Sequence, residues 1–252
     1  MGALENKVCI VTGGAGSIGL ASAIAFAREG GKVMLVDRDI ASLAAAAGRL
    51  DPARVMTFAG DVSDAAATRS YIDATVAKWG KIDVLFSNAG LSGEISPITS
   101  YPEEVFDRVM AVNVRASFLA CKYGMPQMND GGSIVMTSSI MGVRGSGNIA
   151  AYATSKHAVV GLMKVVAKEG ASRRIRCNVL APGPVDNDFQ TDIERRAGKV
   201  IGLDMTEALN RNIPLGRHAR PDEIAATALF LASDASSFCT GAVYMTDGGM
   251  NA

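Results

Sequence analysis

Seven short apolar runs, separated by segments long enough to be helices, constrain this chain more than any other feature. Residues 7–11, 32–36, 54–58, 82–86, 133–137, 175–180 and 242–245 read as strands, and stretches such as 18–28 and 150–168 have helical spacing between them. Short runs that are apolar throughout, rather than alternating with polar residues, belong to strands buried on both faces. Strands that alternate with helices of ten or more residues build βαβ units with right-handed crossovers, hence a parallel sheet covered on both sides. The expectation is an α/β fold with a doubly wound, seven-stranded parallel sheet. With 252 residues, 48% of them hydrophobic, and no Pro/Gly/Ser-rich linker or internal repeat, residues 1–252 are expected to form one domain.

The turn after the first strand narrows this to a Rossmann-type arrangement. Thr12-Gly-Gly-Ala-Gly-Ser-Ile-Gly19 lies between a strand and a helix. Glycines there let the backbone turn tightly and approach a pyrophosphate, whose charge faces the helix N-terminus. The next strand ends in Asp37, eighteen positions after Gly19. A carboxylate in that position accepts hydrogen bonds from the ribose hydroxyls of NAD and repels the extra charge of a 2′-phosphate. Asp37 therefore points to NAD. Arg38, an arginine beside it, is read as facing solvent or stacking on adenine, although a guanidinium could also welcome that phosphate.

Tyr152 and Lys156 are four residues apart at the head of a helical segment, so their side chains share one face. A free phenol, with a pKa near 10, is a poor base at neutral pH; a neighbouring ammonium, a cationic nicotinamide and a helix N-terminus would each favour its ionised form. Ser139, thirteen residues earlier, falls at a strand end within reach of the same sheet mouth, where ligands of such folds bind.

These motifs together resemble the short-chain dehydrogenases/reductases in their single-domain form, over nearly the whole chain. The glycine turn is similar to the family's TGxxxGxG, Gly60-Asp61-Val62 to its strand-three end, and Ser87-Asn88-Ala89-Gly90 to its NNAG. Asn113, Ser139, Tyr152 and Lys156 match its catalytic positions, and Pro182-Gly183 and Asp247-Gly248-Gly249 its late signatures. The resemblance implies that Tyr152 is the general acid/base, Ser139 holds the substrate oxygen, Lys156 assists the phenol and binds the nicotinamide ribose, and Asn113 positions a relay water. It further implies cofactor contacts from Gly13, Ser17, Ile18, Gly19, Asp37, Asp61, Val62, Asn88, Ala89, Gly90, Tyr152, Lys156, Pro182, Gly183, Val185 and Asn187. Three positions depart from the pattern: Ser17 for a glycine, Ser87 for the first Asn of NNAG, and Asn187 for a common Thr.

The implied activity is hydride transfer between NAD and a secondary alcohol or ketone. Two other readings stand beside it: an NADP-linked ketoreductase, including one acting on 3-oxoacyl thioesters, and a dinucleotide-binding regulatory protein without catalysis. Residues 186–215 are too many for an ordinary connection and are expected to form a substrate lid. Phe189, Ile193, Ile201, Leu203 and Met205, with Met141 and Val143, are its inward candidates; Ser139, Met141 and Phe189 are the named substrate contacts. Glu94, Arg144 and Asn148 could instead select a polar substrate.

Lysine and arginine total 25, balanced by 25 acidic residues, so no nucleic-acid partner is expected. Cys9, Cys121, Cys177 and Cys239 are scattered, and His157 and His218 lie far apart, so free thiols and no metal site are expected. Residues 1–6 lack the pattern of a signal peptide and no apolar run nears the ~20 residues of a membrane span, so a cytoplasmic location off the membrane is expected. Helical segments 102–125 and 150–168 carry more apolar residues than one buried face needs, and by resemblance a homotetramer is expected.

Overall fold

The structure, a computed structural model, describes residues 2–252. Seven parallel strands form one sheet in the order β3-β2-β1-β4-β5-β6-β7. They are β1 (Val8–Thr12), β2 (Lys32–Asp37), β3 (Val55–Ala59), β4 (Ile82–Ser87), β5 (Met128–Thr137), β6 (Arg176–Pro182) and β7 (Val243–Thr246). The chain winds outward from β1 to β3, then returns to lay β4 on the other side of β1. The winding reverses between β1 and β4, which opens a crevice at their carboxyl ends.

Helices α1 (Ser17–Arg28) and α2 (Ile40–Ala47) cover one face with α9 (Pro221–Ala232). The other face carries α3 (Ala65–Trp79), α4 (Glu103–Met110), α5 (Ala116–Gly124) and α6 (Ala150–Gly170). Side chains alternate along each strand between two cores. In β1, Cys9 and Val11 join Phe26, Leu43 and Leu231 on one side, while Ile10 joins Tyr71, Ile72 and Met163 on the other. Every residue of β1 and β6 is buried, as continuous apolar runs require. Local chemistry sets the helix starts: Asp39 accepts from the Ser42 N–H ahead of α2, and Asp64 accepts from the Ala66 and Ala67 N–H groups ahead of α3.

The expected strands all appear, most within one or two residues. β5 starts five residues earlier than its apolar run, because a polar stretch with Gly131 at φ +81° bulges before rejoining the ladder against β4. The helix expected over 102–125 is broken by one π turn at Ala111–Arg115, between α4 and α5. Residues 186–215 fold as α7 (Asp188–Ile201) and α8 (Met205–Asn212). No described helix is long and apolar enough to cross a membrane.

Candidate active site

A cleft of about 690 Å³ opens over the carboxyl ends of the strands, within the ~300–1,000 Å³ typical of small-molecule sites. Its floor is tied together by short polar side chains at the strand ends. The Thr12 hydroxyl accepts hydrogen bonds from the Asn88 and Ala89 N–H groups at 3.0 and 3.3 Å, joining β1 to β4. Asn88 in turn accepts from the Thr137 hydroxyl at 3.0 Å, joining β4 to β5.

At one end of the cleft, Gly13, Gly16, Ser17 and Ile18 form the wall where α1 begins. No side chain caps α1, so its first N–H groups face the cleft without an internal partner. That arrangement fits an anionic group such as a pyrophosphate. Gly19 does not line the cleft. A Cβ there would lie 2.0 Å from the Gly13 carbonyl oxygen, so its role is to let α1 pack against the turn. Gly19→Ala should therefore destabilise the fold by about 1–3 kcal/mol, checked by thermal unfolding.

Asp37 and Arg38 lie at the far end of this wall. One Asp37 carboxylate oxygen accepts from the Ala15 N–H at 3.1 Å and the other from the Arg38 N–H at 2.8 Å. The carboxylate is thus held by the glycine turn itself. Asp61 and Val62 follow, with Arg108 from α4 paired to Asp61 at 2.9 Å. Partial burial opposes the Asp61 charge, but hydrogen bonds from Ser63 and Arg108 hold the carboxyl below its usual range. Asn88, Ala89, Gly90, Pro182, Gly183, Val185 and Asn187 also line the cleft. Asn187 donates to the Ser17 hydroxyl at 2.9 Å and caps α7, so the two departures at positions 17 and 187 are partners across the cleft.

Ser139, Tyr152 and Lys156 converge at the middle of the cleft. The Lys156 ammonium donates to the Thr137 carbonyl at 2.9 Å and sits 5.5 Å from the centre of the Tyr152 ring. Burial pushes Lys156 down to about 8. Burial also raises the Tyr152 phenol above its ordinary value, and the Ser139 hydroxyl offsets part of that rise. In the protein alone, burial is therefore the larger influence on the phenol. Ser139 also accepts from the Met141 N–H at 3.1 Å, which orients its hydroxyl at the start of a short turn.

Asn113 lies behind this wall and does not line it. It occupies the π turn, fully buried, and its amide clamps both the N–H and the carbonyl of Leu91 at 2.8 and 2.9 Å. It also donates to the Ser155 hydroxyl, which donates to the Tyr152 carbonyl. The side chain is thus fully engaged within the protein, one layer from the cleft.

The outer part of the cleft is mostly apolar. Met141, Phe189, Ile193, Ile201 and Met205 reach it as expected, joined by Ile95, Leu209 and Met250. Leu203 and Val143 do not: Leu203 follows the left-handed Gly202 in the α7–α8 turn and stays exposed, and Val143 faces outward. Of the polar candidates, Arg144 and Asn148 line the cleft and Glu94 does not. Arg144 is engaged with the Met250 carbonyl at 3.1 Å.

One polar cluster had no sequence signal. Glu194 on α7 is buried and accepts from Gln190, Thr206 and His218, the last at 2.6 Å, while His218 also meets Asn210 at 2.7 Å. The network joins α7, α8 and the segment before α9. Arg196 adds a second tie, donating to the Gly93 carbonyl and the Ser92 hydroxyl across the cleft. Burial opposes the Glu194 charge, yet the hydrogen bonds from Thr206, Gln190 and His218 hold its carboxyl below the usual glutamate range. A depressed carboxyl stabilises the fold above its unfolded value, near 4.5, and loses that contribution as pH falls through the lower folded value. Glu194→Ala should thus lower Tm through loss of about 1–3 kcal/mol at neutral pH, and the gap to the parent protein should close in acid below pH ~4.5.

Comparison with known proteins agrees with this architecture. A family model described as enoyl-(acyl carrier protein) reductase matches residues 13–251. A 3-oxoacyl-[acyl-carrier-protein] reductase of Thermotoga maritima is 38% identical, covering 98% of this chain and 98% of that relative. Levodione reductase of Leifsonia aquatica is 36% identical over 98% of this chain and 95% of its own length. A crystal structure of levodione reductase superposes with a TM-score of 0.92 at 35% identity, covering 98% of both chains. With the reversed winding, the glycine turn and the Ser-Tyr-Lys convergence already in place, these full-length matches show that the chain belongs to the short-chain dehydrogenase/reductase family, oxidoreductases that act between alcohols and ketones.

Proposed function

We propose that the chain is an NAD-linked dehydrogenase/reductase of moderately apolar secondary alcohols or ketones. The observation that carries this reading is one continuous cleft with Asp37 at its nucleotide end, Ser139, Tyr152 and Lys156 at its centre, and apolar side chains beyond them. Bound nicotinamide supplies the hydride acceptor or donor. Ser139 holds the substrate oxygen, and the Tyr152 phenol takes or gives its proton. Lys156 stands beside the phenol and binds the nicotinamide ribose, and Asn113 organises the proton exit through the backbone it clamps. Glycines 13 and 90, Ser17, Ile18, Asp61, Val62, Asn88, Ala89, Pro182, Gly183, Val185 and Asn187 hold the dinucleotide. Met141 and Phe189 contact the substrate, under a lid made by α7 and α8.

NADP-linked reduction is the second reading. Arg38 supports it, because this arginine lines the same cleft as Asp37. The name of the Thermotoga relative places a 3-oxoacyl carrier among the substrates to try. The deciding experiment compares NADH and NADPH formation by purified protein over a panel of cyclic, aliphatic, polyol, hydroxyacyl and steroid alcohols. Turnover with NAD⁺ well above that with NADP⁺ supports the reading; faster turnover with NADP⁺ overturns its cofactor half.

The chain also has surfaces suited to a homotetramer. Phe118 and Val165 are exposed on α5 and α6, and beside the open edge of β7 Phe230 is partly exposed and Phe238 fully so. Light scattering on a size-exclusion column should give about four times the 26.2 kDa chain mass. The four free thiols suit a reducing, cytoplasmic setting.

A further inference from the structure

Three consecutive residues at the end of β5 each hold a different part of the Tyr152–Lys156 pair. The Thr137 carbonyl accepts from the Lys156 ammonium at 2.9 Å, and the Ser139 hydroxyl faces the Tyr152 phenol. Between them, the Ser138 hydroxyl donates to the Lys156 backbone carbonyl at 2.8 Å. Ser138 is itself immobilised. It is buried, and its N–H donates to the Leu180 carbonyl at 2.8 Å, one step past the β5–β6 ladder.

The junction has no slack. A Cβ added at Gly142 would lie 2.1 Å from the Ser138 hydroxyl oxygen and 2.8 Å from the Lys156 carbonyl oxygen. That glycine lets the turn after Ser139 close over this contact. Lys156 is consequently gripped at both ends by adjacent residues where β5 ends, the ammonium by the Thr137 carbonyl and the backbone by the Ser138 hydroxyl. A helix carbonyl in mid-element already has a partner within its own helix, so a second donor from a strand adds little to helix formation; what it sets is where the helix sits.

We infer that Ser138 is a positioning residue for the proton-transfer step: its bond to the Lys156 carbonyl holds α6 in register with the β5 end, so that the Lys156 ammonium and the Tyr152 phenol meet the cleft at working distance. This rests on the function proposed above only for its effect on rate. The placement of Lys156 itself can be read without turnover.

The test compares Ser138→Ala and Gly142→Ala with Ser133→Ala. Ser133 lies on the same strand, is equally buried, and its hydroxyl likewise donates to a helix carbonyl, that of Leu231 at 2.7 Å, on the side of the sheet away from α6. It matches the structural cost without touching Lys156. Ser138→Ala should lower kcat about 10- to 100-fold, the size expected of a misplaced catalytic pair, with substrate KM and cofactor Kd held within about twofold. The basic limb of the kcat–pH profile should shift, and Gly142→Ala, which presses on the same bond from the other side, should shift it too. Ser133→Ala should do neither. A second readout follows the lysine signals by ¹³C NMR in the protein without cofactor. Lys156, held near 8 by burial, should titrate higher in Ser138→Ala as water reaches it, and unchanged in Ser133→Ala.

If Ser138→Ala and Ser133→Ala behave alike in both rate profile and lysine titration, Ser138 only stabilises the fold and the inference is overturned. If no alcohol or ketone turns over in the parent protein, the functional reading fails, and the lysine titration alone still decides the position of Lys156.

Discussion

Tyr152→Phe should reduce kcat by about 10³-fold, within the ~10²–10⁴ that a positioned acid/base contributes, or ~4 kcal/mol of barrier. The phenyl ring keeps its place under the Lys156 ammonium, 5.5 Å from the ring centre, so the wall of the cleft survives. Dinucleotide affinity should stay within about threefold, since the glycine turn and Asp37 are remote from the lost hydroxyl. The hydroxyl belongs to a residue with part of its surface open to the cleft, so Tm should move by only a few degrees. Steady-state rates alongside a fluorescence titration with NADH separate the two effects. A variant keeping more than a tenth of the parent kcat would remove Tyr152 from the chemistry.

The second large effect is expected at Asp37. Its carboxylate accepts from the Ala15 N–H at 3.1 Å, so it is anchored at the lip of the glycine turn and cannot swing away from an added phosphate. Replacing it with serine removes that repulsion and leaves Arg38 beside the site. The ratio of NAD⁺ to NADP⁺ affinity should fall by about 100-fold or more, ~3 kcal/mol, consistent with a few kcal/mol between close charges at a protein surface. Part of the change should be weaker NAD⁺ binding, because the turn loses one hydrogen bond worth ~1 kcal/mol. Equal affinities before and after the substitution would show that Asp37 does not discriminate.

The fold was legible because strands buried on both faces leave a one-letter signature that helices do not. Where polar residues entered a strand, the signature failed: the first half of β5 carries Asn129, Asp130 and two glycines, and nothing in their hydropathy marks them as sheet. At the site, residues chosen for their own chemistry were found on the cleft wall, as with Ser139, Tyr152, Lys156 and Asp37. Asn113 and Gly19 lie one layer behind that wall, a distinction that requires depth, which a linear pattern lacks. The Glu194–His218 pair escaped for a related reason. Its members are 24 residues apart on elements with no regular spacing, so only the folded chain brings them to 2.6 Å. Leu203 and Val143 show the converse: being apolar near a cleft does not decide which way a turn residue points.

The reversed winding also governs how the molecule is made. β1 meets β4 through pairs such as Cys9 and Val84, which are 75 residues apart, while its other edge is covered much earlier by β2. At a synthesis rate of about 5–20 residues per second, that edge waits roughly 4–15 s for its neighbour. Thr12 waits as long for the Asn88 and Ala89 N–H groups that steady the glycine turn. On the ribosome, then, the glycine turn is not a seed around which β1 to β3 can assemble. It comes into being only once β4 has returned to the far edge of β1, and until then an unpaired apolar strand is the part of this protein most in need of protection.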